Sequence, residues 1–188
     1  MKRIFIIGYM GVGKTTVGKK LAKLLSLTFV DLDAHIQSRH YKTIPELFAE
    51  KGEAGFREIE QQALHEVASF ENVVISTGGG APCFFDNMEV MNRVGTTVYI
   101  EATPEILVNR LLASKNVRPL VVGKSREELT AFVTTHLAER ERFYKKADII
   151  YHINQALTKE DVSATVEGIA AHLQTFFKNN CSNYTAKQ

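Results

Sequence analysis

The sequence is short of the features that mark several protein classes. It has only two cysteines, Cys83 and Cys181, in 188 residues, and no Cys-x-x-Cys pair. That argues against a disulfide framework or a cysteine-based zinc site, and a reducing, cytoplasmic setting is expected. No run approaches the about 18 apolar residues of a membrane span. The apolar stretch ending at Gly8 is too short for a secretory signal, and no small-residue cleavage site follows it. Formal net charge is only +2, so no field of one sign points to nucleic acid or to a membrane. The six histidines show no His-Glu-x-x-His or other metal spacing. His35, His65 and His136 read as helical surface or boundary residues. The tyrosines and phenylalanines sit at core spacing, not in a base-stacking pattern. No linker rich in Pro, Gly or Ser divides the chain and no repeat recurs, so one domain is expected.

What is present is an alternation of strand and helix signals. Ile4–Ile7 is a continuous, β-branched apolar run, as expected of a strand buried on both faces. From Lys14, Val17, Leu21, Leu24 and Leu25 follow helical spacing. Phe29–Asp33, Val73–Thr77, Thr96–Ala102 and Asp148–Ile153 read as further strands. Ile36 to Phe70 reads as mostly helical, with interruptions near Gly52 and Gly55. Thr103 and Pro104 are placed as N-cap and first turn of a helix. Ser125 and Glu128 form a capping box opening a helix through Leu137 to Tyr144. Val162, Val166, Ile169, Ala170 and Leu173 mark a last amphipathic helix. The polar residues 179–188 are expected to be a disordered tail on a domain spanning 1–178. Strands alternating with helices predict an α/β fold with a parallel sheet, whose ligands bind at the carboxyl ends of the strands.

The segment Gly8-Tyr9-Met10-Gly11-Val12-Gly13-Lys14-Thr15 matches G-x-x-x-x-G-K-[ST], with a strand before it and a helix after it. Such a P-loop turns backbone N–H groups of Gly11, Val12, Gly13, Lys14, Thr15 and Thr16 toward phosphate, aided by the helix N-terminus. Lys14 is placed to reach the β- and γ-phosphates, and Thr15 to offer its hydroxyl to Mg²⁺. ATP and Mg²⁺ are the expected cofactors. The motif names the donor but not the acceptor. No Asn-Lys-x-Asp segment for guanine occurs, which argues against a GTPase.

Asp31-Leu32-Asp33 ends the second strand, where residues two apart point to one side. Asp31 is a candidate Mg²⁺ ligand and Asp33 a candidate base toward an attacking hydroxyl. The alternative is a strand end whose aspartates cap the following helix.

The P-loop, Asp31-x-Asp33, Phe56-Arg57-x-x-Glu60, Gly78-Gly79-Gly80 and Arg118-Pro119-Leu120, in this order and spacing, resemble shikimate kinase over roughly residues 3–155. The resemblance implies a P-loop NTPase three-layer αβα sandwich of the nucleoside-monophosphate-kinase type, with a five-stranded parallel sheet. It implies ATP-dependent phosphorylation of the 3-hydroxyl of shikimate, in the route to chorismate and aromatic amino acids, by a monomer. Arg57 then matches the arginine on the shikimate carboxylate, a role suited to its planar fork. Read alone, Arg57 is more simply an exposed helical arginine paired with Glu53 or Glu60. Asp33 matches the residue on the shikimate hydroxyls, and Gly79 a backbone N–H donor to the substrate. Arg118 matches the arginine of a lid over 114–124 that closes over the phosphates. Arg110 resembles the arginine stacked on adenine, and otherwise reads as part of a solvated helix face. The family's Arg-x-Pro-x-Tyr becomes Arg140-Glu141-Arg142-Phe143-Tyr144. Arg140 keeps the distance to Tyr144 and is assigned to shikimate, while Arg142 stands where proline usually does. Cys83, after Pro82, has no evident base partner and no expected catalytic role.

Overall fold

The computed structural model describes residues 2–114, 123–154 and 159–185. Five strands, β1 (Arg3–Ile7), β2 (Thr28–Asp31), β3 (Val73–Ser76), β4 (Thr96–Ala102) and β5 (Ile149–Ile153), form one sheet in the order β2-β3-β1-β4-β5. Every adjacent pair is parallel, with Ile4 opposite Val74 on one side and Thr96 on the other. Ile4–Ile7 and Val73–Ser76 are buried throughout, because helices cover both faces of the central strands.

Those helices are α1 (Lys14–Leu25), α2 (Leu32–His40), α3 (Ile44–Val67), α4 (Asn87–Val94), α5 (Pro104–Ala113), α6 (Arg126–Tyr144) and α7 (Lys159–Thr185). Helix α1 packs on β2, β3 and α7, while α4 packs on β4 and α5 on α6. The capping signals act as expected. Thr103 Oγ1 accepts from Ile106 N, and Ser125 and Glu128 form a reciprocal capping box. In α3 the helix breaks at Gly52 (φ 66°, ψ −178°), near where the sequence predicts an interruption, whereas Gly55 is helical. The five apolar positions expected of the last helix, Val162, Val166, Ile169, Ala170 and Leu173, are all buried.

Two expectations need correction. β2 ends at Asp31 and α2 starts at Leu32, so Asp33 lies in the first turn of a helix rather than on a strand. Asp31 is the N-cap, its Oδ1 accepting from Ala34 N at 3.1 Å, and that bond ends the strand. The stretch between Gly80 and Thr96 holds a 3₁₀ turn (Ala81–Cys83) and α4, both too short for periodicity to reveal. Helix α7 runs to Thr185, past the point at which composition predicts a disordered tail. No helix among the described residues is long and apolar enough to cross a membrane.

Candidate active site

The loops after β1, β2 and β3 gather at the carboxyl ends of the strands. They enclose a cleft of about 420 Å³ lined by Met10, Gly11, Gly13, Lys14, Thr15, Thr16, Asp31, Asp33, Thr77, Gly78 and Gly79. The first wall is the P-loop. Gly8 takes φ 141°, and a Cβ there would stand 2.7 Å from the Ile100 carbonyl oxygen. Gly13 takes φ 93° and is the N-cap of α1. Both positions demand glycine. With no side-chain cap on α1, its first N–H groups are available to an anion. The Val12 side chain is fully buried, so this residue offers the cleft its backbone only. Lys14 is buried and donates to the carbonyls of Gly8 and Tyr9 at 2.9 and 3.0 Å.

The second wall is acidic. Thr15 Oγ1 donates to Asp31 Oδ2 at 2.7 Å. This puts a hydroxyl and a carboxylate side by side at the mouth of the P-loop. Asp31 thus realises its capping reading through one oxygen, while the other meets Thr15. Mg²⁺ takes few protein ligands and keeps waters and phosphate oxygens in its shell, so this pair fits it. Among the described residues no cluster of three or more His, Cys, Asp or Glu can hold a metal. Asp33 also lines the cleft, its Oδ1 3.0 Å from where a Cβ on Gly78 would lie.

The third wall is the glycine triplet and the cations behind it. A Cβ on Gly80 would meet Arg57 Nη1 at 2.5 Å, and one on Gly78 would meet Glu60 Oε1 at 2.7 Å. Gly78 and Gly80 are therefore glycine because charged groups pack against their backbone. Arg57 is only 8% exposed, which removes the reading of it as an exposed helical residue. It does pair with both acids, donating from Nη1 to Glu60 at 2.6 Å and from Nη2 to Glu53 at 3.2 Å. Its guanidinium lies 4.1 Å from the Phe84 ring centroid, and Nε is buried without a hydrogen-bond partner among the described residues. Glu60, 1% exposed, belongs to this site although sequence reasoning gave it no role. Burial raises its pKa, with Arg57 opposing and Asp33 adding to the rise. The signal in the sequence was its i+3 spacing from Arg57.

Arg140 projects from α6 toward the same place. It lies near the Tyr144 side chain and acts electrostatically on Glu60 and Cys83. Tyr144 Oη donates to the Gly79 carbonyl, and burial pushes its pKa well above the ordinary phenol value. Arg142 is exposed, its guanidinium 4.9 Å from the Phe143 ring centroid. The helix therefore separates the two arginines, and Arg140 is the one near Glu60 and Cys83. Cys83 lies beside Arg140 and Arg57, half-buried, with burial pushing its thiol up to about 11. It is not a nucleophile at neutral pH. Arg110 is half-buried rather than fully solvated. Its Nη1 donates to the carbonyl of Val12 at 2.6 Å, and Nη2 is buried without a hydrogen-bond partner among the described residues. Arg118, Pro119 and Leu120 lie outside the described residues.

A phosphate loop facing an acid–arginine pocket across one cleft, on a five-stranded parallel sheet, defines a P-loop kinase for a small molecule. Comparison with known proteins names the family. A shikimate kinase family model matches residues 10–170. A shikimate kinase of Parabacteroides distasonis is 57% identical over 162 residues, covering 86% of this chain and 94% of that protein. The structure of shikimate kinase from Bacteroides thetaiotaomicron superposes with a TM-score of 0.89 at 49% identity, covering 92% and 98% of the two chains. That of Acinetobacter baumannii shikimate kinase, in complex with shikimate, gives 0.79 at 32% identity over 93% and 94%. The chain belongs to the shikimate kinase family.

Proposed function

We propose that this cleft transfers the γ-phosphoryl group of ATP to the 3-hydroxyl of shikimate, giving shikimate 3-phosphate and ADP. By its family this reaction serves chorismate and aromatic amino acid biosynthesis. The observation that carries the reading is the meeting of Arg57, Arg140 and Asp33 around a glycine wall that touches the P-loop itself. A Cβ on Gly79 would stand 3.1 Å from Met10 N, so the acceptor wall and the donor loop are in contact.

Each residue has a task that its position supports. The N–H groups of Gly11 to Thr16 cradle the phosphates, and Lys14 moves from its loop carbonyls to the β,γ-oxygens. Thr15 and Asp31 would hold Mg²⁺, which would supply positive charge to the triphosphate. Arg57 and Arg140 bind the acceptor carboxylate, with Arg57 Nε as a free donor toward it. Gly79 donates its backbone N–H to the acceptor. Asp33, in the first turn of α2, orients the hydroxyl and accepts its proton. Arg110 braces the outer side of the P-loop at the nucleotide end. Arg118, outside the described residues, is assigned by the family resemblance alone to add positive charge over the transferring group. Most of the rate then comes from positioning and electrostatics. The family resemblance supports a monomeric cytoplasmic enzyme, and the small net charge gives no field that would draw in nucleic acid. Product analysis by ³¹P and ¹H NMR after incubation with ATP, Mg²⁺ and shikimate tests the reading. A phosphomonoester coupled to the C3 proton is expected, and phosphate on another position would refute it.

A further inference from the structure

The α6 helix presents His136, Arg140 and Tyr144 at i, i+4 and i+8, one stripe along about 12 Å of helix. Tyr144 ties its lower end to the Gly79 carbonyl. The upper end is tied elsewhere. Tyr9 Oη and His136 Nδ1 share a hydrogen bond of 2.9 Å between residues 127 apart in sequence. The two rings meet edge to face with centroids 5.6 Å apart, and Phe132 packs on His136 at 5.0 Å. Tyr9 is 1% exposed and sits inside the P-loop motif, where its carbonyl accepts from Lys14. Burial, and then Arg140, hold the His136 pKa below the ordinary imidazole value, so the neutral ring adds no second positive charge beside Arg140.

We propose that Tyr9 and His136 form a positioning pair: their hydrogen bond fixes α6 to the P-loop and thereby sets the height of Arg140 over the acceptor pocket. Neither residue touches the acceptor. The pair acts through Arg140, one helical turn from His136 and one from Tyr144, so the arginine is held between two anchored points. The consequence is specific. Losing the upper anchor lets the middle of the stripe move, which weakens binding of the anionic acceptor more than binding of ATP. The proposal rests on the assignment of Arg140 to the acceptor carboxylate.

The test compares Tyr9→Phe, His136→Phe, the double variant and His136→Asn in steady-state kinetics with ATP and shikimate. Each single Phe variant is expected to raise KM for shikimate about fivefold, with kcat and KM for ATP within about twofold. The double variant should be no worse than either single one, because both remove the same bond. His136→Asn places an amide where Nδ1 stood and should restore a near-wild-type KM. Single variants with unchanged KM for shikimate, additive losses in the double variant, or equal losses for both substrates alongside a lower Tm would overturn the proposal. Wild-type turnover on shikimate keeps this outcome separate from a failure of the functional reading.

Discussion

Glu60 Oε2 accepts a hydrogen bond from Arg57 Nη1 at 2.6 Å, with both side chains almost wholly out of water. Burial raises the Glu60 pKa against the pull of Arg57. A carboxyl whose folded-state pKa is raised favours folding in its protonated form. Its contribution is full below the unfolded value and is lost as pH rises through the folded one. Glu60→Gln cannot ionise. Its Tm relative to wild type should therefore increase as pH goes from about 4.5 to 7. Thermal melts of both proteins across that range check it. A difference that stays flat or falls would show that Arg57, not burial, dominates.

Asp33 lines the cleft beside Gly78 and is proposed to take the acceptor proton. Asp33→Asn keeps the size and loses the base. We expect kcat to fall about 10²- to 10⁴-fold, with ATP affinity by calorimetry nearly unchanged. Near-wild-type kcat would remove Asp33 from the chemistry.

The bond from Thr15 to Asp31 is proposed to mark the metal position. Thr15→Val should raise the Mg²⁺ concentration for half-maximal activity about tenfold, while Thr15→Ser, which keeps the hydroxyl, should not. A Mg²⁺ titration at fixed ATP separates the two. Equal Mg²⁺ dependence in both variants would exclude Thr15 from the ion.

Arg140 neighbours Glu60, Cys83 and Tyr144, whereas Arg142 is exposed against Phe143. Arg140→Ala should raise KM for shikimate more than about tenfold, and Arg142→Ala should change it less than about twofold. The reverse ranking would reassign the carboxylate ligand.

Much of this was legible in the chain. The P-loop carries its own glycine signature, and β-branched apolar runs located all five strands. Boundaries were less legible. Phe29–Asp33 reads as strand until Asp31 turns its side chain to cap Ala34, a local hydrogen bond that overrides strand propensity. Leu24 follows the helical period of α1 yet is 53% exposed, because periodicity cannot tell the edge of an apolar face from its centre. Read from its own segment, Arg57 fits a solvated helix surface better than a buried site. Only the packing of the glycine triplet and Phe84 around it shows that it is buried. The Tyr9–His136 contact left no local trace, since 127 residues separate its partners.

One cleft is proposed to bind ATP and a hydroxylated carboxylate, and that carboxylate is shikimate. ADP release from ATP and Mg²⁺, measured with shikimate, with gluconate and with no acceptor, tests it most directly. We predict release that depends on shikimate, with gluconate no better than the blank. The same rate in all three, or a preference for gluconate, would contradict the account.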